Sequence, residues 1–351
     1  MATRGHMTKK LIIQIPCFNE EGTLAIALAE LPREVPGFDV VEWLIIDDGS
    51  TDNTVQVALE NGVDHVIPLG HNRGLARGFM AGIEACLALG ADVIVNTDAD
   101  NQYDASDIPA LTRPILDGGA ELVIGERPIA ETAHFSPIKK FLQRLGSWAV
   151  RVASKTSVPD APSGFRAISR AAAMRLYVFS EYTYTLETII QAGRSNIRVI
   201  SVPVGTNEDL RPSRLVKSIS SYVRRSMMTI IRIFLLYKPM RFFAILGSIF
   251  WLGALLLGGR YLYELAIDAN TQRIQSLLLT SILAIAGLLC FTIAVVADLL
   301  AMQRRLLQEI RFRLLRSDLE NGREPVYAAA RIEDMEAYAR RIAAPADTET
   351  A

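Results

Sequence analysis

The sequence predicts an α/β fold with a mostly parallel sheet, followed by interfacial amphipathic helices and a two-helix transmembrane hairpin. Three observations carry this. Over residues 10–205, short continuous apolar runs alternate with helical patterns, the signature of parallel strands covered on both faces. Residues 242–259 and 276–297 contain no charged side chain, and a bilayer core needs ~20 apolar residues per helix. Residues 215–237 place large apolar side chains at helical spacing with cations between them, as in a helix lying in a membrane interface. The composition agrees. Half of the 351 residues are hydrophobic and 21% are charged, which excludes a disordered chain, a coiled coil and a collagen-like repeat. A net charge of -1 argues against a nucleic-acid partner. Cys17, Cys86 and Cys290 are too widely spaced for a disulfide scaffold or a zinc finger and fit a reducing compartment.

In chain order, residues 1–9 read as a leader, in part tag-derived (MATRGHM), with Met7 a candidate natural start. LIIQIPCF is too short for a signal segment and leads into a motif, so it is taken as a strand. The expected strands are LIIQIP (11–16), EWLIID (42–47), HVIPL (65–69), DVIVNT (92–97) and ELVIG (121–125). Helices are expected at 21–31, 53–61, 75–89 and 106–116. The soluble domain spans 10–212 and the amphipathic segment 213–240. The hairpin spans 241–300, with helices at about 242–262 and 276–298, and a basic helix with a polar tail fills 301–351.

Orientation follows from the flanks. Before the first apolar run come Arg211, Arg214, Lys217, Arg224, Arg225, Arg232, Lys238 and Arg241, with no Asp or Glu among them. After the second come Arg304, Arg305, Arg311, Arg313 and Arg316, against Glu309. The link at 264–275 holds Arg273 beside Glu264 and Asp268. The positive-inside rule then puts both termini and the soluble domain in the cytoplasm. Two lone helices in lipid are also expected to find partners, which points to a homo-oligomer.

In parallel sheets ligands bind at the carboxyl ends of the strands. The first strand ends in Pro16-Cys17-Phe18-Asn19-Glu20-Glu21, where Asn19 suits a helix N-cap. The second ends in Asp47-Asp48-Gly49-Ser50. A turn accounts for Gly49 onward but leaves Asp47 over, for the donor groups of a nucleoside. The fourth ends in Asp98-Ala99-Asp100-Asn101-Gln102. Extended backbone points alternate side chains the same way, so Asp98, Asp100 and Gln102 could converge on one point. Hard oxygen donors there suit Mg²⁺ or Mn²⁺. No glycine-rich phosphate loop is present, so phosphate must be neutralised by metal and cations. Arg127, Lys139, Lys140, Arg144, Arg166, Arg211 and Arg214 are the available cations. Each taken singly reads first as a solvated surface charge, and their value as a group depends on being folded around one cleft. The histidines, His6, His65, His71 and His134, form no metal set.

The succession IPCFNEEGTL, IIDDGSTDNT, NTDADNQYDASDIP and SGFRAISR resembles family 2 glycosyltransferases of the GT-A fold, nearest the polyprenyl-phosphate sugar synthases. The likeness covers roughly residues 10–215. It implies a Rossmann-like nucleotide-sugar domain and a membrane-bound, inverting hexosyltransferase. The donor would be GDP-mannose or a UDP-sugar, and the acceptor dolichyl or undecaprenyl phosphate. Carried over, Pro16, Asn19, Glu20, Asp47 and Asp98 would bind the nucleotide. Asp98, Asp100 and Gln102 would hold the metal, with Asp100 central. Arg127 would meet the lipid phosphate, with Lys139 or Lys140 in place of a second arginine. An R-x-G-x-S-K loop corresponds to 209–214, where Ser213 and Arg214 match, Asp209 replaces the first arginine, and Arg211 is a candidate substitute. Asp100, Arg127, Lys140, Arg211 and Arg214 form the expected catalytic set. The Q-x-x-R-W motif of processive synthases is missing. An alternative is transfer to a saccharide-lipid or protein hydroxyl, which needs a base such as Glu187. A third reading is a non-catalytic membrane subunit.

Overall fold

The computed structural model describes residues 8–128, 150–151, 154, 156–178, 184–207, 228, 231–267, 274–321 and 333–334. The chain forms two compact units. The first comprises Met1–Tyr222 and Arg311–Ala351, the second Val223–Ile310.

The first unit is built on an eight-stranded mixed sheet of order β7-β5-β6-β4-β1-β2-β3-β8. The central strands are β1 (Lys10–Cys17), β2 (Val40–Asp47), β3 (His65–Pro68) and β4 (Val93–Asn96), mutually parallel. β1 is buried from Leu11 to Ile15, as expected of a strand covered on both faces. One face packs Leu11, Ile13 and Ile15 against Leu24 and Leu28 of α1 (Leu24–Glu30) and Ile108 and Leu111 of α4 (Ile108–Leu116). α3 (Leu75–Ala88) covers the other face, where Cys86 Sγ meets Gln14 Oε1. α2 (Thr54–Glu60) follows β2. The five strands expected between residues 11 and 125 all form, each within two residues of the expected ends.

The sequence did not announce the remaining strands. β5 (Leu122–Glu126) does not pair with β4. β6 (Arg166–Ser169) lies antiparallel between them. After β6 come α5 (Arg170–Arg175), α6 (Thr185–Arg194) and β7 (Val199–Pro203), which is parallel to β5. β8 (Glu333–Asp334) adds an antiparallel edge to β3.

The second unit holds α7 (Pro239–Ile267) and the start of α8 (Ile274–Glu320). Both are long and apolar enough to cross a membrane, and only 11% of the most apolar window of each is buried. The two backbones approach at glycines: a Cβ on Gly247 would lie 3.1 Å from the Gly287 carbonyl, as in small-residue packing of membrane helices. Of the expected amphipathic segment, 228 and 231–237 are described and helical. Residues 238–240 are also described, the last two opening α7, and 213–227, 229 and 230 lie outside the described residues.

The last turns of α8 belong to the first unit. Arg311 Nη2 donates to Glu84 Oε1 of α3 at 2.6 Å, with both side chains largely buried (12% and 6% exposed). Its Nη1 donates to the Leu176 carbonyl at 3.2 Å, and the guanidinium lies 4.5 Å from the Tyr177 ring centre. Burial raises the pKa of Glu84, and Arg311 opposes the rise. Removing one partner of a buried pair leaves an uncompensated charge, at a cost of about 3–5 kcal/mol. Arg311→Ala should therefore destabilise the first unit by that order in urea unfolding. Adding Glu84→Leu should recover part of the loss. A double-variant loss equal to the sum of the two single losses would show that the pair carries no coupling.

Candidate active site

The loops after β1 and β2 are locked to each other. Asn19 takes a left-handed conformation (φ 55°). Its backbone N–H donates to Ser50 Oγ at 3.0 Å, and its Oδ1 accepts from Thr51 N at 2.8 Å. It therefore does not cap the helix: Thr23 precedes α1. Glu20 N donates to Thr54 Oγ1 at 2.8 Å, and its carboxylate accepts from Thr23 Oγ1 at 2.9 Å. Pro16 is half-buried, opposite Ile46 of β2. Asp47 is buried, with Oδ1 accepting from Ser50 N at 2.9 Å. Asp48 shapes the next loop, accepting from Arg73 N (2.7 Å) and Gly74 N (2.9 Å). Burial raises its pKa against those bonds.

A buried polar column fixes the floor. Gln14 Nε2 donates to Asn96 Oδ1 at 2.8 Å. Asn96 Nδ2 donates to the Gly164 carbonyl (2.9 Å) and to Tyr184 Oη (3.0 Å). Tyr184 stacks on Phe79 with ring centres 4.0 Å apart. Gly164 N donates to Tyr103 Oη at 2.9 Å. Burial of the Tyr103 phenol, then the charge of Asp98, pushes its pKa up to about 12. The turn before β6 is thereby held under Asp98. A Cβ on Gly164 would lie 2.8 Å from Asp98 Oδ2 and 3.0 Å from Tyr184 Oη, so only glycine lets the carboxylate rest there.

β4 ends at Asn96, and Asn101 is left-handed (φ 56°). Asp98 and Asp100 therefore sit on a turn, and the alternation expected of an extended strand does not apply. Burial and then the Asp100 charge raise the pKa of Asp98 to about 7, with a smaller contribution from Glu20. Arg127 and Arg166 oppose the rise. Asp100 Oδ1 accepts from Gln102 N at 3.3 Å. A desolvated carboxylate beside a second one is the donor chemistry that a hard divalent cation satisfies, so these two residues fit a metal. Gln102 departs from expectation, because its Oε1 accepts from Arg127 Nη1 at 3.2 Å. Among the described residues no group of three His, Cys, Asp or Glu is placed to hold a metal.

Arg127 lies beside this turn. Its Nε donates to Asp160 Oδ2 at 2.8 Å and its Nη2 to Asp160 Oδ1 at 3.1 Å. Burial works against its charge, but Asp160, Tyr103 and Asp98 raise its pKa overall. Arg166 is neither a surface charge nor a phosphate ligand. It is fully buried, donating to the carbonyls of Ser163, Ala161 and Thr185 and to Thr188 Oγ1. Burial lowers its pKa. Glu187 is buried, with Oε1 accepting from Gln191 Nε2 at 3.3 Å. Lys139, Lys140, Arg144, Arg211, Ser213, Arg214 and His134 lie outside the described residues. Sequence reasoning missed Asp48, Asn96, Tyr103, Asp160 and Tyr184. Asp160 stands three residues before the Ser163-Gly164-Phe165-Arg166 motif, the one local signal that could have drawn attention to it.

Residues 12–177 match the family described as Glycosyl transferase family 2. A UDP-N-acetylglucosamine–dolichyl-phosphate N-acetylglucosaminyltransferase of Methanococcus voltae is 31% identical over 57% of this chain and 87% of its own length. The chain belongs to glycosyltransferase family 2. An undecaprenyl-phosphate mannosyltransferase of Micrococcus luteus is 28% identical over 56% of this chain and 82% of its own. A polyprenol monophosphomannose synthase of Mycolicibacterium smegmatis is 25% identical over 63% and 85%. All the strand-end motifs described above, and the Ser163–Arg166 turn, fall inside the matched segment.

Gly164→Ala should displace the Asp98 carboxylate or its turn. Overpacking of this kind costs about 1–3 kcal/mol, so the expected result is a modestly lowered Tm with glycosyltransferase activity reduced far more. Gly22→Ala, where a Cβ meets nothing within 4 Å, is the control and should change neither. Full activity in Gly164→Ala would contradict the packing of Asp98 on this turn.

Proposed function

We propose that this glycosyltransferase is membrane-bound and moves a hexose, with inversion, from a nucleotide sugar to a polyprenyl phosphate. The observation that carries the reading is Arg127, a charged and oriented guanidinium placed beside the Asp98–Asp100 turn. The names of the three relatives, each a transferase or synthase of a polyprenyl-type phosphate, support it. So do two helices long and apolar enough to span a bilayer.

A phosphate oxygen of the acceptor attacks the anomeric carbon as the bond to the nucleoside diphosphate breaks, and the leaving group departs with the electron pair. The nucleophile is already ionised near neutral pH, so no proton must be removed. The chain's task is to hold two anions together. The locked loops carrying Pro16, Asn19, Glu20 and Asp47 bind and orient the nucleoside. Asp98 and Asp100 hold Mg²⁺ or Mn²⁺, which when bound supplies Lewis-acid stabilisation of the leaving diphosphate. Arg127 directs the acceptor phosphate, and Lys139 or Lys140, Arg211, Ser213 and Arg214 are proposed to complete that pocket. The hydroxyl-acceptor alternative needs an accessible base, whereas Glu187 is 6% exposed and bonded to Gln191.

The catalytic domain and both termini are proposed to be cytoplasmic. Besides the flanking arginines, the chain's connectivity supports this. The segments on either side of the helix pair, up to Tyr222 and from Arg311, belong to one folded unit, which favours both flanks on one side of a membrane.

The test is transfer of radiolabelled sugar by detergent-solubilised protein. It would use undecaprenyl and dolichyl phosphate, a panel of UDP- and GDP-sugars, and Mg²⁺ or Mn²⁺. A lipid-extractable product, lost with EDTA and reduced at least ~100-fold in Asp100→Asn, is expected. Donor binding without transfer to any lipid phosphate would overturn the proposal. Full activity in Asp100→Asn would overturn the metal assignment.

A further inference from the structure

We propose that Asp160 is the positioning residue for the acceptor phosphate, acting through Arg127 and not as a base; this rests on the polyprenyl-phosphate reading above. Asp160 lies at the foot of the turn before β6, and its side chain is 1% exposed. Both of its carboxylate oxygens are taken by one residue. Oδ2 accepts from Arg127 Nε at 2.8 Å and from the Arg127 backbone N–H at 3.3 Å. Oδ1 accepts from Nη2 at 3.1 Å. Asp160 therefore fixes the end of β5 as well as the guanidinium that projects from it.

A guanidinium has five N–H donors in a rigid fork. Asp160 occupies two, along the Nε–Nη2 side. Gln102 Oε1 occupies one more on Nη1 at 3.2 Å. Among the described residues two N–H remain without a partner, one on each terminal nitrogen. Because the Asp160 fork leaves no rotation about Nε–Cζ or the side-chain torsions, those two donors have fixed directions. A paired terminal edge is the geometry that recognises two oxygens of a phosphate. Gln102 makes the same guanidinium part of the Asp98–Asp100 turn, whose backbone it continues. The chain Asp160–Arg127–Gln102 thus links the acceptor cation to the loop that carries the donor's metal ligands.

The same facts exclude a base. A carboxylate that is 1% exposed and forked by an arginine has no lone pair facing a substrate, and the group it would deprotonate is already an anion. Asp160 can act only by aiming its neighbour.

Asp160→Asn puts an NH₂ where one oxygen accepted, so one arm of the fork becomes a donor facing a donor. The test measures transfer to undecaprenyl phosphate with donor and acceptor varied separately. It adds nucleotide-sugar binding by calorimetry without acceptor, and thermal unfolding. The expected result is an acceptor KM raised at least tenfold, donor Kd within twofold and Tm within a few degrees. In the Arg127→Ala background, Asp160→Asn should add nothing further. If Asp160→Asn fails to fold, Asp160→Glu keeps the charge but not the fork geometry and should show the same acceptor-specific rise. A fall in kcat with unchanged acceptor KM would mean a base or a general structural role and overturns the proposal. So would additive losses in the double variant. Transfer by the wild type with unchanged kinetics in Asp160→Asn sinks this inference alone. No transfer by the wild type to any polyprenyl phosphate sinks the acceptor reading and this inference with it.

Discussion

Holding the Asp98 carboxylate against protein beside Asp100 is the constraint around which the catalytic domain is arranged. Burial of the carboxylate, and then repulsion from Asp100, push Asp98 up to about 7. Much of the surrounding structure answers that cost or exploits it. Arg166, buried with no carboxylate of its own, contributes positive potential from behind while backbone carbonyls satisfy its donors. Arg127 contributes from the side. The column from Gln14 through Asn96 to Tyr184 sets the height of Gly164, and with it the only floor on which the carboxylate fits. A bound divalent cation would remove the repulsion, so the fold stores in its ground state an affinity for positive charge at one point.

The site is rich in carboxylates, yet three that could be considered as bases are committed. Asp160 is forked by Arg127, Asp48 is held by two backbone N–H groups, and Glu187 accepts from Gln191. This distribution suits a nucleophile that arrives ionised. Under the proposed reaction it would also divide the labour by sign, the acidic turn serving the departing diphosphate and the cationic fork the incoming phosphate. Gln102 stands between the two, its backbone N–H on Asp100 and its side-chain oxygen on Arg127.

Legibility followed burial geometry. The central strands were visible because parallel strands covered on both faces are continuous apolar runs, as in Leu11–Ile15. β6 was not, because Arg166–Ser169 is four residues long and opens with a charged one. Its strand character comes from pairing with β4 and β5, tens of residues away. The acidic residues were placed correctly at strand ends, but their convergence was argued from an extended backbone that stops at Asn96. Asn101 turns the chain instead, and no local pattern distinguishes a left-handed asparagine from an ordinary one. Arg166 was unreadable for a similar reason: an arginine satisfied by carbonyls has the same local sequence as one in water. The fork between Arg127 and Asp160 joins positions 33 apart with nothing periodic between them.

The two long apolar helices interrupt the chain of the first unit. The chain leaves the first unit at Tyr222 and re-enters it at Arg311. The return brings Arg311 to Glu84, a carboxylate on the buried face of α3 among Phe79, Met80, Ile83 and Leu87. Until Arg311 arrives, that carboxylate has been removed from water without its counter-charge, and its raised pKa means that it is more easily buried as the neutral acid. The ion pair, the Leu176 carbonyl and the Tyr177 ring then receive the guanidinium together. During synthesis Glu84 has no such counter-charge until both apolar helices have been made, because Arg311 follows them in sequence. A chain ended at Tyr222 would have every strand-end motif and still lack the partner of Glu84.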